Sequence, residues 1–489
     1  MTNSINDIGV LIAGSGPTGL TLAIQLARQG VSFRLVDKAD QYFGGSRGDG
    51  LQPRTLEVFD DLGILDTIMA TGRTAPLHRS YRRGEVVWEG RMADPVDPTP
   101  DVPYPNAYFV PQWLTEQILR DRLAELGGKV ELSTELVRFT QDETGVDAVL
   151  RQGGAEQTVR ARYLVGADGG RSIVRRTLGL EFVGETDEDL RLMLADVRAP
   201  GLDHEIGHVF GNSDDPAKST AFLAFTPLYG TYPDTFVVAG TPPERDEDLT
   251  LDYLRDMVDR ASEGTPKVEL TELTWSTLWR LNVRMVDRFQ VGRVFVAGDA
   301  AHVHPPTGGQ GLNTGVQDGY NLGWKLAAVL TGAPVDLLES YQAERLPIAR
   351  DVLRLSKELI DAHQRGDEDA HKRGPETQQL RLNYRGGPLT RELRAEPGAV
   401  RAGDRAPDAP ALDANGHATR VFDLLRGPHW TVLSFDVPVG DVGVPVYSLG
   451  REAAASYQVT EPTVFVIRPD GYIGLAANNA DEIADYLRA

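Results

Sequence analysis

"DIGVLIAGSGPTGLTLAIQLARQGVSFRLVDKAD" (residues 7–40) decides the fold of the N-terminal part of this chain. The apolar run 8–13 is short enough for a buried parallel strand. Gly14, Gly16 and Gly19 follow as G-x-G-x-x-G, and Leu20, Ala23, Ile24 and Ala27 recur at helical spacing until Gly30. A second strand, 32–36, ends at Asp37, with Lys38 beside it. Strand, glycine turn, helix, strand and acid together form a dinucleotide-binding βαβ fingerprint. Gly14 allows the tight turn, Gly16 lets backbone approach a pyrophosphate, and Gly19 lets helix and strand pack closely. The helix N-terminus offers unpaired N–H groups and partial positive charge to the phosphates. Asp37, 18 residues after Gly19, can accept hydrogen bonds from an adenosine ribose. An acid there suits NAD or FAD better than NADP, whose 2′-phosphate it would repel. The fingerprint does not choose between them.

A second stretch, "VFVAGDAAHVHPPTGGQGLNTGVQDGYNLGWKLA" (294–327), ends a strand of small apolar residues in Gly298-Asp299. It then places a proline- and glycine-rich loop before a long helix, with Val316, Tyr320, Trp324, Leu326 and Leu330 as packing residues. Bare backbone at the mouth of a helix suits an anionic or strongly polar partner. His302 and His304 are read as loop residues that hydrogen-bond its backbone.

Two further stretches are "SRGDGLQPRTLEVFDDLGI" (46–64) and "YLVGADGGRSIVRR" (163–176). With the fingerprint and the 294–327 stretch, they resemble the FAD-dependent aromatic hydroxylases: single-component flavoprotein monooxygenases of the phenol and polyketide hydroxylase type. The resemblance spans about the first 350 residues. It implies an α/β fold: a Rossmann-like FAD-binding domain, an inserted β-rich substrate domain and a C-terminal thioredoxin-like domain. It assigns Asp168 and Asp299 to the ribityl and phosphate region of FAD. Gly309, Gly311, Leu312 and Asn313 go to the pyrimidine side of the ring, where a helix N-terminus would stabilise the negative charge of reduced flavin. Pro306 would shape the wall where oxygen reacts, Arg47 would stand near the flavin, and Gln112 would touch the cofactor. Arg47 and Pro306 are the catalytic candidates. Arg54 is read as packing or pairing within its helix.

The implied reaction consumes NADPH or NADH and O₂ and hydroxylates an electron-rich phenolic substrate, through a flavin C4a-hydroperoxide. Polyketides and antibiotics fall within that class. Baeyer–Villiger oxygenation of a ketone, or flavin-dependent dehydrogenation without O₂, are the alternatives. No second G-x-G-x-x-G follows a strand, so the nicotinamide would dock transiently.

The expected division is a discontinuous FAD-binding domain (1–73, 112–180, 286–365), a substrate domain (74–111, 181–285), a linker (366–400) and the C-terminal domain (401–489). Tyr104, Tyr108, Phe222, Phe225, Tyr229 and Trp279 are candidate substrate contacts. The chain has no cysteine, which excludes disulfides, thiolate metal sites and thiol catalysis, including dithiol chemistry in the last domain. Its nine histidines form no ligand motif. A net charge of −21 disfavours nucleic acid and anionic membrane. With neither a spanning segment nor a signal peptide legible, a cytoplasmic location is expected. The expected partners are a small aromatic substrate, O₂ and a second copy of the chain.

Overall fold

In a computed structural model, residues 7–211, 221–263, 266–304, 308–365 and 372–488 are described. Strand Asp7–Ala13 lies between Ala155–Gly166 and Phe33–Val36, parallel to both. Val294–Val296 adds in parallel to Ala155–Gly166, and Val130–Glu131 to Phe33–Val36. The chain thus reaches this sheet from three distant segments, whose strand ends lie together at one edge.

Helix Pro17–Arg28 packs on helix Gly311–Leu330 through glycines spaced four apart. A methyl on Gly315 would come 2.4 Å from Thr18 Oγ1, one on Gly319 2.5 Å from Thr18 O, and one on Gly323 2.5 Å from Gln25 Cβ. Without side chains between them the helices run close and parallel, so both N-termini open on the same side.

A second sheet takes the order His302–Val303, Glu272–Met285, Val183–Arg198, Thr235–Gly240, Phe222–Pro227, Ile206–Gly211, Leu77–Arg82, Glu85–Gly90. Segments on either side of helix Gln112–Glu125 therefore share one sheet, Ile206–Gly211 pairing in parallel with Leu77–Arg82. Alternation gives it two faces. Met193, Ala195, Val197, Phe225 and Phe236 pack with Leu254, Met257 and Val258 of helix Leu251–Ser262. The other face carries Leu194, Thr277 and Trp279.

A third, mixed sheet is ordered Arg391–Glu392, Ile473–Ala477, Thr463–Ile467, Thr431–Phe435, Val446–Ser448. It is tied to the rest by buried charge. Arg468 donates to Glu344 and Asp470, and Lys325 donates to Glu344 at 2.7 Å. Arg405 reaches Glu57, while Arg420 and Arg426 both reach Asp60. A residue of the expected linker is engaged as well: Gln379 donates to Gln310, and Gln317 donates to Gln379. No helix among the described residues is long and apolar enough to cross a membrane.

Candidate active site

The strand ends, the two helix N-termini and the bare face of the second sheet enclose a cavity of about 980 Å³. Gly14, Gly16, Asp37, Lys38, Arg47, Gln112, Asp168, Asp299, Gly309, Gly311 and Leu312 line it. These residues come from five separate parts of the sequence.

The fingerprint glycines divide by function as their chemistry demands. Gly14 has φ +104°, and a methyl there would sit 2.2 Å from Ala167 O. A methyl on Gly19 would lie 2.0 Å from Gly14 O. Both are therefore required by the protein's own packing. Gly16 has open space around it, with nothing within 4 Å, so only a ligand needs its backbone bare. Asp37 accepts from Ser15 N and Ser15 Oγ at 2.8 Å each, bracing the turn while facing the cavity.

Asp168 accepts from Ile173 N at 2.7 Å, yet its other oxygen is buried with no partner. Arg175 bridges the two acidic motifs, donating to Gly170 O and to Ala300 O. Asp299 lies in the tight turn Gly298–Ala300. It is exposed to the cavity, whose walls still desolvate it enough to raise its pKa, and His302 and Arg47 only partly oppose that. His302 is buried and hydrogen-bonds Asp318 at 2.7 Å rather than loop backbone. Asp318 also accepts from Gly298 N and Arg345, so the pair anchors the turn. His304 does line the cavity, beside Gly311.

Gln112 opens its helix and donates to Glu116 at 2.8 Å. Burial pushes Glu116 up to about 7 against the hydrogen bond from Gln112 and the charge of Arg120. Sequence reading passed over Glu116. The signal was the i, i+4 spacing that puts Gln112, Glu116 and Arg120 on one helix face.

Several expectations need correction. Asn313 does not line the cavity: its side chain holds Gly50 O, Gly309 O and Gln52 N, fastening two loops together. Tyr104 is absent from the lining because its hydroxyl donates to Asp60 and accepts from Arg420. Phe225 has the wrong parity on its strand and lies in the core on the far face. Phe222 is exposed away from the cavity, and Tyr229 packs on His204 beyond the strand end. Tyr108 is likewise outside the lining, its hydroxyl donating to Met69 O. Trp279 does line the cavity, with Leu194, Thr277 and Asn282. Pro306 lies outside the described residues.

An extended, phosphate-bearing dinucleotide with a polar ring at its far end fits this arrangement. Helix N-termini, an unobstructed Gly16 and a partnerless Asp168 oxygen are what such a group would engage. The FAD binding domain family matches residues 7–356. The chain belongs to this family. A flavin-dependent monooxygenase of Mycobacteroides abscessus is 47% identical over 486 residues, 98% of this chain and 99% of that relative. The pentachlorophenol 4-monooxygenase of Sphingobium chlorophenolicum is 33% identical over 462 residues, 87% of this chain and 80% of that one. Among solved structures, a ternary complex of aklavinone-11 hydroxylase with FAD and aklavinone superposes with TM-score 0.82 at 27% identity, over 99% and 98% of the two chains. The protein is thus an FAD-dependent flavoprotein monooxygenase.

Proposed function

We propose that the protein hydroxylates a phenolic aromatic compound, multi-ring phenols included, using O₂ and NADPH or NADH. The observation that carries this reading is the two-sided cavity: backbone and helix N-termini on one side, Leu194, Thr277 and Trp279 on the other. A flat aromatic fits between an indole wall and a planar cofactor ring. The relatives that act on pentachlorophenol and bind aklavinone support the substrate class, and favour it over the Baeyer–Villiger and dehydrogenase alternatives.

In this reading FAD supplies the redox and oxygen-transfer chemistry when bound. The chain's own residues bind, orient and exclude water. Gly14, Gly16 and the N-terminus of Pro17–Arg28 take the pyrophosphate, and Asp37, with Lys38 beside it, takes the adenosine ribose. Gln112, Asp168 and Asp299 flank the ribityl–phosphate part. Gly309, Gly311 and Leu312 lay the N-terminus of Gly311–Leu330 against the pyrimidine side of the ring, where its partial positive charge favours an anion. Asn313 acts one step back, holding the 50–52 and 309 backbones in place. Arg47, exposed at the cavity edge over the Phe43 ring at 4.7 Å, meets the reductant or the ring.

The second sheet then serves as the substrate domain, and the third as a thioredoxin-like domain. Its central strands Val446–Ser448, Thr431–Phe435, Thr463–Ile467 and Ile473–Ala477 support that likeness by their order and directions. A ten-residue connection without helix (436–445) joins the parallel pair, and without cysteine the unit serves packing.

The test is NAD(P)H oxidation by the FAD-loaded protein against a panel of phenols and ketones, with product masses. Stimulated oxidation with a gain of one oxygen in a phenol is expected. Ring expansion of a ketone, or turnover without O₂ uptake, would overturn the reading.

A further inference from the structure

The mouth of helix Gly311–Leu330 is held from behind by a chain of three buried side-chain amides. Gln310, the residue before the helix, is fully buried. Its Nε2 donates to Gly308 O at 2.7 Å and to Thr377 O at 2.9 Å. Only the NH₂ end of an amide can serve two carbonyls, so Gln310 Oε1 is left to accept from Gln379 Nε2 at 2.6 Å. Gln379 Nε2 also reaches Thr314 Oγ1 at 3.3 Å, and its Oε1 accepts from Gln317 Nε2 at 2.6 Å. The chain therefore has one sense, from Gln317 through Gln379 to the Gly308 carbonyl. Gln310, Thr314 and Gln317 share one helix face by their spacing, and Gln379 engages all three.

Gln379 lies beyond the 7–356 stretch that the FAD binding domain family matches. Its φ is +62°, a region that glycine takes freely and other residues seldom. The other described non-glycine residues with positive φ, Arg83, Ser133, Glu263, Asp436 and Gln458, are exposed, whereas Gln379 is 3% exposed. A buried residue kept in that backbone state, with both ends of its amide committed to one helix, is there for its side chain.

We propose that Gln379 is a positioning residue for the flavin: acting through Gln310, it fixes how the 308–311 peptide groups face the ring, and so how strongly they stabilise the reduced, anionic state. The inference rests on the placement of the ring against this mouth proposed above. The first turn of a helix leaves N–H groups without intrahelical acceptors, and these carry its partial positive charge. Carbonyl oxygens carry the opposite charge. Gly308 and Gly309 have φ of +87° and +62°, and a peptide between glycines turns at little steric cost. A carbonyl turned toward the cavity would set a negative dipole end beside the ring and undo what the helix supplies. Side-chain donors hold both carbonyls back. Gly308 O accepts from Gln310 Nε2 and from Gln52 Nε2 at 3.1 Å, and Gly309 O accepts from Asn313 Nδ2 at 2.6 Å. Farther along the same segment, Tyr384 hydroxyl meets Arg345, which donates to Thr314 O and Asp318. The 377–384 segment thus braces the first two turns of the flavin helix.

The experiment measures the two-electron midpoint potential of bound FAD, by equilibration with a reference dye, in the parent and in Gln379→Gly, Gln379→Ala and Gln317→Ala. Loss of the Gln379 amide should weaken the preference for reduced over oxidised FAD about tenfold, a potential about 30 mV more negative. Glycine and alanine should shift it alike, although Gln379→Ala should melt lower because it keeps the left-handed strain. Gln317→Ala leaves the bonds to the mouth in place and should weaken that preference only about twofold, ~9 mV. Retained FAD absorbance reports that each variant is folded. A merely structural Gln379 would lower melting and leave the potential where it was. A preference in Gln379→Gly within about 1.5-fold of the parent's, or shifts that separate glycine from alanine, would overturn the proposal. Should neither Gln379 variant hold FAD, an unshifted Gln317→Ala overturns it. Gly311→Ala separates this inference from the ring placement, since it puts a methyl on the mouth itself, with His304 Cε1 the nearest atom at 3.3 Å. A shift there with none in Gln379→Gly refutes this inference alone. No shift in either refutes the ring placement, and this inference with it.

Discussion

The cavity and the seam beneath the third sheet both bury carboxyls, in opposite ways. At the seam Glu57, Asp60, Glu344 and Asp470 each meet an arginine. Burial would raise Glu344, but Arg468 and Lys325 outweigh it and hold its pKa well below the ordinary range. Asp318 is likewise held down, Arg345 and His302 prevailing over burial. In the cavity, Asp49, Glu116, Asp196 and Asp299 are all raised, with burial the largest cause each time, even for Glu116 with Arg120 at 3.7 Å. Matched charge fixes the third sheet against the rest of the chain, whereas a carboxyl that burial raises costs stability and persists where something must be bound.

The comparison can be broken most forcefully at the seam. Glu344→Gln strands Lys325 without its ion-pair partner in a fully buried site and leaves Arg468 with Asp470 alone. It should cost about 3–5 kcal/mol in denaturant unfolding. Next in size, Gly19→Ala pushes a methyl into Gly14 O and should cost about 1–3 kcal/mol, measurable in the apoprotein. Gly16→Ala sharpens the contrast, because φ is −70° and no protein atom is near. Apoprotein melting should stay within about 1 °C while FAD affinity falls by at least about tenfold, near 1.4 kcal/mol, on flavin titration.

The smallest effect has the opposite sign. Asp196→Asn removes a carboxyl whose folded pKa is raised, so its cost is absent below the ordinary aspartate value of about 3.9 and grows as pH rises toward 7. The variant should melt on the order of 1–3 °C higher at about pH 8 and match the parent near pH 4. Glu344 behaves in reverse: its stabilisation is present above the ordinary glutamate value of about 4.3 and lost as pH falls through its depressed folded value. The penalty of Glu344→Gln should therefore shrink in acid. A melting series on both variants across pH checks the two signs together.

The cofactor side was legible because its requirements are local. A turn that only glycine can make, a helix start and an acid at a strand end carry their spacing in the chain, so Gly14, Gly16, Gly19 and Asp37 could be placed without coordinates. The glycines at 311, 315, 319 and 323 also carried their reason, four-residue spacing along one helix face, though the bulky Val316, Tyr320 and Trp324 drew the reading instead. The substrate side was less legible. One residue of strand parity separates Phe225, which faces the core helix, from Ala224 and Thr226 on the other face. That parity depends on which face the sheet presents to the flavin loops. Tyr104 was misplaced for a similar reason: its partner Arg420 lies 316 residues away.

By itself, then, the chain's order of residues determined that bare backbone and helix ends would open on one place, because both are specified by glycine position alone. Only the folded molecule decided which side chains line the cavity and which acids burial raises. Those outcomes depend on distant strands and loops meeting, and charge pairing across hundreds of residues leaves no spacing to read.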